Sequence, residues 1–204
     1  MDHIMVTVKG LAPPLVPSDD GEQGRCLYLP RFDARNYASK PPPVRGFGVQ
    51  IYQSPLSSFA SIFFAASFSE MAPRPENRVM LDPKRVDAWG IPILRIECGY
   101  DQSERSRASG QAETLRELAE IGRVRFASIS KPAPPGSAIH ECGTARMGTD
   151  PSNSVLDSYN QCWEARGLYV TDGASFPSQG AHNPTLTILA LTARACDHAI
   201  RNAR

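Results

Sequence analysis

Apolar positions along this chain recur with two different periods, and the change of period divides it into elements. From Phe47 to Gln53, the apolar residues Phe47, Val49 and Ile51 alternate with other positions, which predicts a strand with one buried face. Phe59–Met71 (FASIFFAASFSEM) is apolar and aromatic, and too short and too rich in β-favouring side chains for a helix. It predicts a buried strand. Arg78–Leu81 predicts a brief strand closed by Asp82-Pro83, and Ile91–Glu97 (IPILRIE) predicts another. From Asp101 to Ile121 the period becomes that of a helix. Leu115, Leu118, Ala119 and Ile121 form its apolar stripe, Gly110 weakens its middle and Gly122 stops it. Arg123–Ile129 reads as a strand again, and Leu168–Thr171 as a short one that runs into a turn. Pro184 opens a second helix, to about Asn202, with a stripe through Leu186, Leu189, Ala193, Cys196 and Ile200.

Proline breaks these patterns. LAPPLVPSDDGEQG and KPPPVRG each remove backbone donors, so residues 1–45 are expected to be an irregular lead-in with at most a short strand near Cys26–Leu29. Residues 46–136 are expected to form a substrate-binding antiparallel sheet with a covering helix, and residues 137–204 a separate C-terminal segment. The fold class is therefore α+β.

Composition narrows the function classes. A hydrophobic content of 41% over 204 residues allows a sizeable core. A net charge of +1 with scattered basic residues gives no electrostatic case for nucleic acid. Five widely spaced cysteines without a C-x-x-C favour reduced, buried thiols. The start, MDHIMVTVKG, holds no apolar signal region, and no apolar run reaches the length of a membrane span, so a cytoplasmic protein is expected. A longer start would hide a targeting signal.

Candidate chemistry collects near the C-terminus. His140 follows a proline-rich loop and precedes Gly143-Thr144, where backbone can approach a ligand closely. Imidazole suits proton transfer near neutral pH, although from composition alone a histidine in a loop is more often structural. Asn183 stands before Pro184, the pattern of a helix N-cap followed by proline. Asp172-Gly173-Ala174 ends an apolar segment and reads as a turn. His182 flanks Asn183, while His3 and His198 are expected to be solvated. Two weaker matches carry nothing. Ser128-Ile-Ser-Lys131 fits S-x-x-K without its partner motifs, and His140, Cys142 and Cys162 match no compact zinc spacing.

Taken together, HECGTARMG from His140, the DGA after LYVT, and HNP opening the last helix resemble the C-terminal end of glucose-methanol-choline (GMC) flavoenzymes. The first string is similar to that family's H-x-x-G-T-x-R-M-G. PRPENRVMLDPKRVDAWGIPILRIECGY resembles the substrate-domain segment of bacterial members, and YLPRF at Tyr28–Phe32 matches weakly. The resemblance implies FAD as cofactor and an alcohol, polyol or sugar as substrate. It makes His140 the base that takes the hydroxyl proton while hydride passes to flavin N5, and Asn183 its partner on the substrate oxygen. It also lays Asp172, Gly173 and Ala174, with Asn183, Pro184 and Thr185, along the flavin, while Arg146 and Met147 hold the loop. The C-terminal strand and long helix would then complete an FAD-binding α/β domain.

The 204 residues contain no G-x-G-x-x-G, the turn that would bind the dinucleotide pyrophosphate. The chain is therefore expected to be the C-terminal part of such an oxidoreductase. A rival reading is a non-catalytic fragment, or a subunit completed by a separate flavin-binding segment or chain. A third is a binding module that exposes Phe59–Phe68.

Overall fold

The computed structural model describes residues 1–15, 25–31 and 46–202. The proline-rich stretches at 16–24 and 32–45, expected to be irregular, lie outside the described residues. The architecture is an antiparallel sheet of five strands backed by one helix. The strands are β1 (His3–Ala12), β2 (Arg25–Arg31), β3 (Phe47–Ser57), β4 (Ala60–Glu70) and β7 (Arg125–Ile129), in the order β2-β3-β4-β1-β7. The strands β5 (Arg78–Val86) and β6 (Pro92–Glu97) form a separate two-stranded hairpin. The helix α1 (Gln102–Ile121) packs on β1, β4 and β7. The helix α2 (Thr185–Asn202) closes the described chain.

Side-chain alternation gives the sheet two unlike faces. Ile4, Val6 and Val8 of β1 stand with Val49, Phe63 and Ala65 against Ala108, Leu115 and Ala119 of α1, and together they make the core. Each fully buried aliphatic there contributes roughly 1.5–3 kcal/mol. A polar seam crosses this face: buried Gln111 donates to the Ile4 carbonyl and to Ser67 Oγ, and accepts from Ser69 Oγ. Among the described residues, no helix covers the opposite face. The register pairs His3 with Glu70, Met5 with Phe68, Thr7 with Ala66, Gln50 with Ala66, Tyr52 with Phe64 and Tyr28 with Gln50. Paired residues share a face, so these side chains all lie on the open one.

Local chemistry explains the borders of α1. Asp101 accepts from the Glu104 amide while the Glu104 side chain accepts from the Asp101 amide, a reciprocal cap. Buried Glu104 also accepts from the Ala72 amide and meets Arg74 at 3.2 Å, which ties the helix start to the end of β4. Gly10 is required where β1 meets β7. A Cβ there would lie 2.5 Å from Val124 Cγ1 and 2.8 Å from the Arg125 carbonyl.

Four expectations need correction. His3–Ala12 is not irregular but the strand next to the centre of the sheet, because Ile4, Val6 and Val8 alternate with Met5 and Thr7. Arg78–Leu81 does not stop at Asp82-Pro83. A register shift absorbs the proline, and the strand continues to Val86. Leu168–Thr171 forms no regular strand; Tyr169 makes one isolated bridge with Gln161. Ile121, expected on the buried stripe of α1, is exposed. The apolar stripe of α2 is not among these corrections: it is exposed, as a face awaiting a flavin-binding segment is expected to be. Leu186 is 79% exposed, Leu189 61% and Ile200 73%, and Ala195 is the buried residue of that helix. Phe63 and Phe68 are buried as expected of an inner strand, whereas Phe59 at its turn is exposed. Among the described residues, no helix is long and apolar enough to cross a membrane.

Candidate active site on the open face of the sheet

His140 is held by the first turn of chain before β1. The buried Asp2 carboxylate accepts from four backbone amides: His3 at 2.7 Å, Gly136 at 2.9 Å, Ala138 at 3.1 Å and His140 at 3.4 Å. The first belongs to β1 and the others to the loop that carries His140. One carboxylate therefore fastens that loop to the sheet, since each buried donor needs an acceptor. The chain then turns at Gly143, whose φ of +84 and close neighbours, Met1 Cε and the Phe176 carbonyl, exclude a side chain.

The His140 ring stands over Phe68 at 6.1 Å and edge-on to His3 at 4.9 Å between centroids. His3 Nδ1 and His140 Nδ1 are 2.9 Å apart, a hydrogen bond. His3 is fully buried. Burial, and then the neighbouring His140 ring, lower its pKa from 6.5 to about 4, against the Asp2 carboxylate and the Gly180 backbone, which raise it. His3 is therefore neutral at pH 7. The backbone carbonyl of His140 accepts from Gln179 Nε2, and the Gln179 amide donates to Glu70 Oε1 on β4. The loop before α2 and the His140 loop are thus fixed to one another and to the sheet.

Asn183 meets the neighbouring strand of the same face. Its Oδ1 accepts from Gln50 Nε2 at 2.9 Å, and Gln50 Oε1 accepts from Tyr52 Oη at 2.9 Å. Asn183 is exposed, and this chain of bonds occupies its oxygen and leaves its amide nitrogen as a spare donor. Asn183 does not serve as the helix cap, because its side-chain oxygen is committed to Gln50. The first helical bond runs from the Ile188 amide to the Pro184 carbonyl, one residue later than expected. His182 flanks the site, with Nδ1 2.5 Å from Tyr28 Oη. Gln50 and Phe68, which touch Asn183 and His140 respectively, lie on adjacent strands one same-face step apart, on the order of 7 Å.

Asp172, Gly173 and Ala174 form a tight turn beside these groups. The Asp172 carboxylate accepts from the Ala174 amide, and Gly173–Ser175 is one 3-10 turn. A ladder joins it to the His140 segment: the amides of Gly143, Ala145 and Met147 donate to the carbonyls of Gly173, Ala174 and Ser175. Gly173 is packed tightly, with a Cβ position 3.0 Å from Cys142 Sγ and 3.8 Å from Ile188 Cδ1. The turn therefore abuts the first turn of α2, where Pro184 is buried and Thr185 exposed. Thr192 Oγ1 strengthens the join by donating to the Thr171 carbonyl. Arg146 spans its loop to the Asn153 carbonyl.

A model of the GMC oxidoreductase family matches residues 73–192. The chain belongs to that family. A 2-methyl-1,2-propanediol dehydrogenase of Mycolicibacterium austroafricanum is 34% identical over 144 residues, 70% of this chain and 26% of the relative. A C-glycoside 3-oxidase of Arthrobacter globiformis is 29% identical over 186 residues, 89% of this chain and 35% of the relative. The fructose dehydrogenase large subunit of Gluconobacter japonicus is 34% identical over 138 residues, 63% of this chain and 23% of the relative. The chain thus spans roughly a quarter to a third of these GMC proteins. A pyridoxine 4-oxidase from Mesorbium loti shares its fold with a TM-score of 0.57 at 18% identity, covering 100% of this chain and 42% of that one. The antiparallel sheet with helices is that of a GMC C-terminal domain.

Two histidines depart from expectation. His3 is buried in contact with His140 rather than solvated. His198 stacks on Tyr159 at 4.4 Å and pairs with Tyr169 Oη. Sequence reasoning also missed Asp2, Gln50, Glu70 and Gln179. Periodicity could have put His3 and Gln50 on one face, but pairing across strands is not written in local spacing.

Proposed function

We propose that this chain forms the catalytic C-terminal part of an FAD-dependent GMC oxidoreductase acting on the CH–OH group of a sugar or polyol. The observation that carries this reading is that two loops bring His140 and Asn183 to the same open sheet face, His140 bonded to His3 of β1 and Asn183 to Gln50 of β3, the two strands that flank β4. With Nδ1 engaged by His3, His140 has Nε2 available to take a hydroxyl proton. Asn183, its oxygen held by Gln50, offers its amide hydrogens to the substrate oxygen and orients the carbon. Tyr28, Gln50 and Tyr52 add polar and aromatic surface suited to a hydroxyl-rich substrate. Relatives named for a diol, a C-glycoside and fructose agree with that class.

FAD fits the residues beside the pair. The Gly173 amide makes no hydrogen bond among the described residues, and the amides of Thr185, Leu186 and Thr187 precede the first helical bond of α2. They supply donors, at the positive end of a helix, to an electron-rich flavin edge. When bound, FAD accepts the two electrons and the carbon-bound hydrogen of the alcohol. Its pyrophosphate would need a partner segment, and the exposed stripe of α2 (Leu186, Leu189, Ile200) is the face on which such a segment would dock.

The test joins or co-expresses the chain with a flavin-binding segment. His140→Ala should lower turnover by roughly 10²–10⁴-fold with flavin absorbance retained. An unchanged rate would remove His140 from the reaction.

A further inference from the structure

We infer that the far end of the sheet carries a second binding site, for a phosphate monoester joined to an aromatic ring, held by Arg123 and Arg125 between Phe59 and Phe126. The site is independent of the proposed reaction. It lies where β1 ends, whereas His140 meets the start of that strand at His3. From His3 to Leu11 an extended strand runs on the order of 25 Å.

A cavity of about 450 Å³ opens there, a volume that suits a small molecule. Pro13 and Pro14 form one wall. The Pro13 carbonyl accepts from the hydroxyl of buried Ser61 at 2.6 Å and from Gln53 Nε2 at 3.2 Å, so that wall is fixed before any ligand arrives. Phe59, from the turn between β3 and β4, forms another wall. Arg123, Arg125 and Phe126, from the entry and start of β7, complete the lining.

Three features of this cavity are unfavourable for the chain alone. The first is unpaired charge. Both guanidinium groups line the cavity, no carboxylate does, and neither arginine side chain is hydrogen-bonded or ion-paired among the described residues. The second is exposed aromatic surface. Phe59 at 87% and Phe126 at 85% are the two most exposed large apolar side chains among the described residues, and both face one cavity. The third is the backbone. Arg123 and Phe126 have φ of +52 and +53, the left-handed region that favours glycine, and they are two of the four such non-glycine residues described. Phe126 belongs to a β-bulge: Lys9 pairs with Ser128 and Leu11 with Arg125, so Gly10 alone faces Phe126 and Ala127. The bulge turns an aromatic ring out of the ladder and into solvent. Strain of this kind collects at binding sites, where a ligand offsets it.

A ligand that bridges the arginines and lies against the rings offsets all three. A phosphate monoester carries about −1.5 to −2 charges near pH 7 and three strong acceptor oxygens, enough for two guanidinium forks. A carboxylate, with one charge and two oxygens, serves one fork. An aromatic body stacks on the phenylalanine rings and on guanidinium planes.

The experiment titrates the ¹⁵N-labelled 204-residue chain with phenyl phosphate near physiological ionic strength. Amide shifts should fall at Leu11–Ala12, Phe59–Ala60 and Arg123–Phe126, and should leave His140 and Asn183 unmoved. Phenyl phosphate should bind at least about tenfold more tightly than inorganic phosphate or benzoate. The double substitution Arg123→Gln, Arg125→Gln should weaken it by at least about tenfold. Inorganic phosphate bound as tightly as phenyl phosphate would leave a patch of charge only. Shifts centred on His140 and Asn183 would put the probe on the candidate active site, and an unaffected double variant would remove the arginines. Each of these overturns the assignment.

Phe126→Gly separates a ring kept for a ligand from one kept for packing. Relief of the left-handed backbone should raise the urea midpoint, while affinity for phenyl phosphate falls roughly three- to tenfold. Phe126→Asn, a residue that tolerates this φ, serves should glycine loosen the strand. Affinity unchanged in both variants removes Phe126 from the site and overturns the aromatic part of the assignment.

Discussion

Asp2→Asn tests whether one carboxylate holds the His140 loop to the sheet. The substitution keeps shape and volume, but one oxygen becomes an NH₂ group facing backbone donors. Asp2 Oδ2 accepts from Gly136 and Ala138 at 2.9 and 3.1 Å; Oδ1 accepts from His3 at 2.7 Å and His140 at 3.4 Å. The amide will keep its oxygen where two good bonds remain, so the loss falls on the Oδ1 side. One short charge-assisted bond is removed, worth about 1.5–3 kcal/mol, and the buried His3 amide is left facing another donor. The two surviving bonds also lose their charge assistance. Together these predict a destabilisation of about 2–4 kcal/mol. Urea denaturation of the two chains measures it through the shift in midpoint at constant slope. Amide exchange at Gly136, Ala138 and His140 reports whether the loop opens before the sheet does. A midpoint shift worth less than about 1 kcal/mol, together with unchanged protection at those amides, would refute the reasoning.

Two other outcomes follow from burial. His3 has a folded pKa of about 4, below its ordinary 6.5, so the neutral ring is the form folding requires. Its stabilising contribution is present above about pH 6.5 and is lost as pH falls toward 4, by at most about 3 kcal/mol. His3→Phe should flatten the fall in urea midpoint over that window; parallel curves for the two chains would contradict this. The double substitution Leu186→Gln, Leu189→Gln should leave the stability of the chain within about 0.5 kcal/mol, since both residues are exposed. It should reduce dye binding and concentration-dependent association, and should prevent recovery of turnover with a flavin-binding segment. A loss of stability above about 1 kcal/mol would show the stripe to be buried in solution.

Much of the α+β layer was legible because its signals are local. Alternation at Phe47, Val49 and Ile51 marked β3, and the alternation in IPILRIE marked β6. The helical period from Asp101 and the stop at Gly122 bounded α1 within a residue or two. Local rules failed where another element intervened. Asn183 before Pro184 is a sound cap by spacing, yet Gln50 from a strand far away in sequence takes its oxygen. The stripe of α2 is a true amphipathic pattern, but nothing among the described residues covers it, so the pattern states what the helix would bury and not whether it does.

The sequence by itself determined the family, the string HECGTARMG that points to His140, and the periodic elements of the sheet. These are one-dimensional properties of spacing and residue type. Only the tertiary structure decided that Asp2 and His3, at the other end of the chain, are the groups that hold His140. It likewise decided that Gln50 holds Asn183 and that both pairs open on the same face. A hydrogen bond between residues more than a hundred positions apart depends on strand order and register. Those are set by burying Ile4, Val6, Val8 and Leu115 together, and not by any spacing along the chain.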